Sequence, residues 1–257
     1  MEDIKCPKEC RRTTCTGCSI QEEVIKTHPR GNVNDILIID GVKIIVTETR
    51  SGYVFGTKPF SKDVDIRYYD NNAERYFNST KDANFDSNRQ ILIKYLRSND
   101  HILDLGCGSG RDSKVFIDLG YKVTALDGSK KLCELAAKVI NQEVICKDYY
   151  QINDIDRYNA IWACASLFHL TNVELVEVLN ILQRALKADG YFYLDFKYGL
   201  LEREDTINGC HFNDMTENKF NEILKQLEQL RLLEYVVTGY ELQRDNAWLN
   251  IVLKKTK

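Results

Sequence analysis

The sequence predicts an α/β fold, a mostly parallel sheet with helices on both faces, behind a small N-terminal extension. Three observations lead there. From residue 101 onward, apolar runs of strand length alternate with helix-length amphipathic segments, as parallel strands and their crossover helices require. The first of those runs, "HILDL" at 101–105, breaks directly into glycines at alternate positions, Gly106, Gly108 and Gly110. Ahead of it lie a polar, cysteine-rich stretch and a set of short strand-and-turn signals with a different period.

Taken in order, residues 1–30 hold Cys6, Cys10, Cys15 and Cys18 in "CPKECRRTTCTGC" and form a cysteine-cluster module. In 31–60, "ILII", "VKIIVTET" and "YVFGT" are separated by Asp40–Gly41 and Ser51–Gly52, which predicts a β-hairpin extension. Residues 65–97 carry Ile66, Tyr69, Ala73, Tyr76 and Phe77, then Ile91, Leu92, Tyr95 and Leu96, at helical spacing. After "HILDL" come a helix at 111–119, the strand "YKVTALD", a helix at 129–139, and the strands "EVICKD" and "YNAIWACAS". A long helix at 171–187, the strand "GYFYLDF" and a helix near 216–229 follow. The end, "LEYVVTGYELQRDNAWLNIVLKK", reads as two strands with no helix between, hence a hairpin-like finish with one antiparallel strand. Residues 61–257 are therefore the main domain.

Composition narrows the function classes. Across 257 residues the net charge is −3, so the overall field does not favour capture of nucleic acid or anionic membrane, although a local patch could. No apolar run reaches the roughly 18–20 residues that cross a bilayer. "MEDIKCPKEC" has no apolar signal core, and the expectation is a cytoplasmic protein with no membrane partner. Of nine cysteines, Cys107, Cys133, Cys146, Cys164 and Cys210 are scattered through apparent core segments, as reduced thiols are. The N-terminal four suit a tetrahedral Zn²⁺; an iron–sulfur cluster or four free thiols are the other readings. Lys5, Lys8, Arg11 and Arg12 interleave with them, a pattern that could dock RNA or an acidic partner.

The glycine run needs a ligand. Without Cβ atoms the backbone approaches closely, and a helix starting near Arg111 aims free N–H groups at what is bound. The dinucleotide fingerprint requires its third glycine where Arg111 stands. Asp104, inside the preceding strand, suits a cationic ligand group and not a pyrophosphate. Asp127, about 20 residues on, can accept both ribose hydroxyls, and Asp148 in "ICKDYY" can accept from an adenine amine.

In this order and spacing, "ILDLGCGSGRDS", "VTALDGS", "ICKDYY" and "IWACASLFHL" resemble class I S-adenosylmethionine-dependent methyltransferases. "GCGSGRDS" is most similar to the tellurite-resistance-type small-molecule enzymes. The resemblance spans roughly residues 65–257, including "RYYDNNAERYF", which in such enzymes caps the cofactor. It implies a Rossmann-like seven-stranded sheet with S-adenosylmethionine as cofactor. Gly106, Gly108 and Gly110 would lie against the methionine part, Asp104 near its ammonium and Arg111 near its carboxylate. Asp127 would hold the ribose and Asp148 the adenine, with Cys107, Gly128, Tyr149, Ala163 and Tyr69 completing the site.

Methyl transfer asks the protein for alignment and exclusion of water, and for a base only where the acceptor loses a proton. In the enzymes that the chain resembles, the segment corresponding to "WACASLFHL" faces the transferred methyl. Here it lacks the Asn/Asp-Pro-Pro-Tyr/Phe pattern of amino-group methyltransferases, and no proline precedes Cys164, which argues against a cysteine nucleophile. His169 is either the base or a structural histidine at a strand end. Tyr68, Cys164, Lys197, Tyr198 and His211 are further acceptor-side candidates; Tyr68, Tyr69 and Tyr76 suit a lid, with the helical core as the other reading of Tyr76, and Trp162 suits the core. The leading function is methyl transfer to a small molecule. RNA or protein methylation with the N-terminal module as docking element is the alternative, and a cofactor-binding regulatory protein without turnover is a third.

Overall fold

The computed structural model describes residues 62–204, 210–239 and 247–256, together with the backbone of four strands ahead of residue 62. The chain divides into two compact units, residues 1–61 and 62–257. In the first, β1 (Glu23–Ile25), β2 (Ile36–Ile39), β3 (Val42–Arg50) and β4 (Tyr53–Thr57) form an antiparallel sheet in the order β1-β4-β3-β2. Ile39 stands opposite Val42 and Arg50 opposite Tyr53, registers that leave two residues for each connection. β1 has no counterpart in the sequence reading, which placed no strand before residue 31; it pairs with β4, Val24 opposite Phe55. The four clustered cysteines, the basic residues among them and both turn pairs lie outside the described residues. Among the described residues no group of three or more His, Cys, Asp or Glu side chains is arranged to hold a metal.

The second unit opens with α1 (Lys62–Asn71), α2 (Ala73–Thr80) and α3 (Asp86–Ile93). Strands and helices then alternate: β5 (His101–Leu105), α4 (Arg111–Asp118), β6 (Lys122–Asp127), α5 (Lys130–Ile140), β7 (Val144–Cys146), β8 (Tyr158–Ala163), α6 (Asn172–Ala185) and β9 (Leu186–Lys197). The short strands β10 (Glu202–Glu204) and β11 (His211–Asn213) pair with each other, and α7 (Glu217–Leu224), β12 (Leu230–Thr238) and β13 (Trp248–Lys255) complete the chain. The main sheet has seven strands in the order β12-β13-β9-β8-β5-β6-β7. β5 to β9 run parallel, while β13 is antiparallel to both of its neighbours. Two strands joined without a crossover helix can only lie antiparallel, so the helix-free end of the sequence sets this one reversal.

The central strands are buried on both faces, which is why "HILDL" and "YNAIWA" read as continuous apolar runs. One face packs Leu103, Ile161 and Leu194 against Leu175, Leu179 and Leu182 of α6 and Phe220 of α7. The other packs Ile102 and Trp162 against Leu92 of α3 and Phe116 of α4. Each such side chain contributes roughly 1.5–3 kcal/mol on burial. "TNVE" starts α6 with a reciprocal capping box: Thr171 Oγ1 accepts from the Glu174 amide at 3.3 Å, and Glu174 Oε2 accepts from the Thr171 amide at 3.0 Å. No helix among the described residues is long and apolar enough to cross a membrane.

Candidate cofactor and acceptor site

The carboxyl ends of β5, β6 and β7 form one wall of a cleft with about 710 Å³ of empty space, its open mouth included. The turn after β5 makes the floor. Gly106 and Gly108 take φ of +73° and +55°, a region side chains disfavour. Both are also closed in: an added Cβ at Gly106 would overlap Ser166 Oγ, and one at Gly108 would stand 3.1 Å from the Tyr76 ring. Gly110 does a different job, since its Cβ would press on Ala136 of α5 at 3.1 Å. It lets α4 and α5 close up.

Asp127 ends β6 and ties two turns together. Its Oδ2 accepts from the Gly108 amide at 2.9 Å and its Oδ1 from the Ser129 amide at 2.8 Å. Burial still raises its pKa above the ordinary carboxylate value, against the pull of those amides. Beyond β7, Asp148 Oδ1 accepts from the Tyr150 amide at 3.0 Å, and the Tyr149 hydroxyl reaches the Ser166 carbonyl at 3.2 Å.

The facing wall comes from α1, α2 and the segment after β8: Asp65, Ile66, Tyr69, Tyr76, Ala165, Ser166, His169 and Leu170. Ala165 holds a left-handed φ of +49°, a conformation that costs a non-glycine residue about 1–3 kcal/mol. Asp195, at the end of β9, secures it by accepting from the Ala165 amide at 2.6 Å. His169 Nδ1 lies 2.6 Å from the His211 carbonyl oxygen. A carbonyl only accepts, so Nδ1 carries the proton and Nε2 accepts from the Tyr69 hydroxyl at 2.9 Å. Burial pulls the His169 pKa down to about 4 and pushes the neighbouring Asp65 up to about 6.

Of the residues singled out in the sequence, Gly106, Gly108, Asp127, Gly128, Asp148, Tyr149, Tyr69 and His169 come together on this cleft, with Tyr76 beside them. Several others do not line it. Asp104 lies buried beneath the glycine turn and accepts from Ser113 Oγ at 2.5 Å. Arg111 pairs with Asp112 at 2.7 Å and stacks over Phe85 at 3.8 Å, turned to the α3 side. Cys107 packs with Ala125, Cys133 and Ala136, and Ala163 is fully buried in the core. Cys164 follows Trp162 by two residues and shares its face of the sheet, where its thiol donates to Asp195 at 3.3 Å. The Tyr198 hydroxyl donates to Glu217, and that of Tyr68 accepts from Arg75, each at 3.0 Å. Lys197 ends β9 opposite Trp248, away from the lining. His211 gives the site its carbonyl, while its buried ring stands 3.3 Å from Glu202. Sequence reasoning missed Asp65 and Ser166. In "KDVDIRYYD" the acid looks like one of several on a solvated helix face, so no local signal could have found it.

Residues 102–190 match the family described as methyltransferase domain. This stretch, from β5 into β9, is thus similar to a methyltransferase domain. A curated relative, the ribosomal protein L11 methyltransferase of Campylobacter concisus, is 26% identical over 176 residues, 65% of this chain and 50% of that one. The chain thus spans about half the length of the curated relative it matches. Among solved structures, the 1,6-didemethyltoxoflavin-N1-methyltransferase of Burkholderia thailandensis, with 1,6-didemethyltoxoflavin and S-adenosylhomocysteine bound, aligns with a TM-score of 0.64. It is 17% identical and covers 86% of this chain and 98% of that one. A TehB-like methyltransferase from Corynebacterium glutamicum aligns at 0.56, is 20% identical and covers 74% and 99%. At these identities both likenesses are of fold. The seven-stranded sheet places the glycine turn, Asp127 and Asp148 at adjacent strand ends, where ligands of open α/β sheets bind.

Proposed function

We propose that the protein transfers a methyl group from S-adenosylmethionine to a small-molecule acceptor held in the same cleft. The observation that carries this is the cleft's two-sided lining. One wall has the glycine turn, Asp127 and Asp148. The other is a wall of half-buried aromatic and titratable side chains, Tyr69, Tyr76 and His169, close enough to share one small ligand pair. The cofactor suits the first wall: Gly106 and Gly108 line it without side chains, and the two acids suit ribose hydroxyls and an adenine amine. When bound, it supplies an electrophilic methyl; the protein's share is alignment and exclusion of water. Replacing Asp127 by Ala leaves ribose hydroxyls without their acceptor, an expected loss of about 1–3 kcal/mol. Calorimetry with S-adenosylhomocysteine reads that loss, and unchanged affinity in the variant would remove Asp127 from the site.

A second reading, a protein or RNA acceptor, draws on the curated relative, whose name makes it a methyltransferase of a ribosomal protein. Charge reversal at Lys5, Lys8, Arg11 and Arg12 separates the two. Small-molecule turnover is expected to survive it, whereas methylation of RNA or protein delivered by that segment would collapse, more so as salt rises.

A further inference from the structure

Three ionisable side chains from distant parts of the chain converge on the acceptor wall. Asp65 and Tyr69 lie one turn apart on α1, on the same helix face, and His169 comes from the short helical turn after β8. The Tyr69 hydroxyl donates to His169 Nε2 at 2.9 Å, the His211 carbonyl holds Nδ1 at 2.6 Å, and Asp65 Oδ1 stands 3.7 Å from that same Nδ1. All three line the cleft. We propose that Tyr69 and His169 form a proton relay with Asp65 as its electrostatic partner, and that the acceptor is therefore a weakly acidic hydroxyl or ring N–H.

The inference rests on the methyl-transfer reading and adds to it the chemistry of the acceptor. As the acceptor heteroatom forms its bond to the methyl and the sulfur–methyl bond breaks, the acceptor's proton passes to the Tyr69 oxygen. The proton already on Tyr69 passes to His169 Nε2. The sulfonium charge ends on the imidazolium, the cofactor product and the methylated acceptor leave neutral, and His169 later loses its proton to solvent. The geometry is arranged for that sequence. Nδ1 is anchored on a carbonyl, which fixes the tautomer so that Nε2 can only accept. Burial keeps the ring neutral at rest. The imidazolium is then opposed by the Asp65 carboxylate, which offsets part of the cost of a buried charge. A thiolate or a tertiary amine has no proton to lose, and for such an acceptor the relay has no task.

The test uses the full-length protein with S-adenosylmethionine and four probe sets, read as S-adenosylhomocysteine release. These are phenols graded from phenol to p-nitrophenol, azoles with a ring N–H, thiophenol, and N,N-dimethylaniline. Wild type is expected to methylate members of the phenol or azole set. Tyr69→Phe and His169→Gln are expected to lose about 100-fold or more in kcat on the weakest acids, the usual worth of a positioned acid–base group. They should lose far less on p-nitrophenol, which is ionised before it binds. Asp65→Asn is expected to lose about tenfold in the same acidity-dependent way. His169→Gln should bind S-adenosylhomocysteine as wild type does, which shows that it folds. Losses equal across the acidity series would assign these residues a structural role and overturn the relay. So would turnover confined to thiophenol or the tertiary amine, or no turnover with any probe while S-adenosylhomocysteine still binds. Failure of wild type to bind S-adenosylhomocysteine would instead sink the methyl-transfer reading beneath it.

Discussion

A carboxyl group buried under a turn is easier to keep protonated than ionised. Asp104 sits this way, and burial together with the neighbouring Asp112 carboxylate raises its pKa from 3.8 to about 7. Between those values the folded state holds more protons than the unfolded chain, so this group's contribution to stability falls as pH rises. His169 works in the opposite sense. Its pKa drops from 6.5 to about 4, so the unfolded chain holds the extra proton in that interval and stability rises with pH. The two slopes overlap, and comparison with single variants separates them. From pH 5 to pH 7, wild type is expected to lose stability relative to Asp104→Asn and to gain it relative to His169→Gln, by a few kcal/mol at most. Denaturant titrations at both pH values supply the differences; parallel curves for wild type and Asp104→Asn would contradict the buried-acid account.

At the scale of elements, the site is two interlocked turns. The glycine turn after β5 and the turn after β8 meet where Gly106 faces Ser166, and each holds a backbone conformation that ordinary residues resist. Gly106→Ala therefore incurs two penalties, a positive φ and an overlap with Ser166 Oγ. The expected result is a loss of about 1–3 kcal/mol together with weakened binding of S-adenosylhomocysteine. Adding Ser166→Gly removes the overlap and not the φ strain, so the double variant should recover only part of the loss. Ala165→Gly tests the partner turn from the other side. It keeps the Asp195 bond to the amide and relieves the left-handed strain at +49°, so its stability should equal or exceed that of wild type. A large loss in Ala165→Gly would mean that the methyl group packs against something the turn needs. Full recovery in the double variant would mean that φ at Gly106 costs nothing.

For the molecule as a whole, the unit of residues 62–257 carries its core in the two layers that flank its seven-stranded sheet. We propose that Cys6, Cys10, Cys15 and Cys18 bind one Zn²⁺, on their spacing in a stretch with few apolar residues to order it. Elemental analysis is expected to give about one zinc per chain, lost in the Cys15→Ser/Cys18→Ser variant. Residues 1–30 should then become protease-sensitive while S-adenosylhomocysteine still binds. Metal-free protein with a protease-resistant N-terminus would show ordinary thiols.

The sequence by itself determined the order of strands and helices in the main sheet, the single reversed strand and the place of the glycine turn, because each of these is written locally. "HILDL" followed at once by glycines is a strand, a tight turn and a helix start within 13 residues, and Asp127 and Asp148 close the next two strands in the same way. What tertiary structure alone decided is the opposite wall. Tyr69 and His169 are 100 residues apart, and only the path of α1 relative to the end of β8 brings a hydroxyl to an imidazole. It decided the direction of side chains too. Asp104, Arg111 and Cys164 sit inside the expected motifs, but a strand's two-residue period and the pull of Ser113, Asp112 and Asp195 turn them away from the cleft. Motif spacing specifies where the backbone goes; which face a side chain takes depends on partners that arrive from elsewhere in the fold.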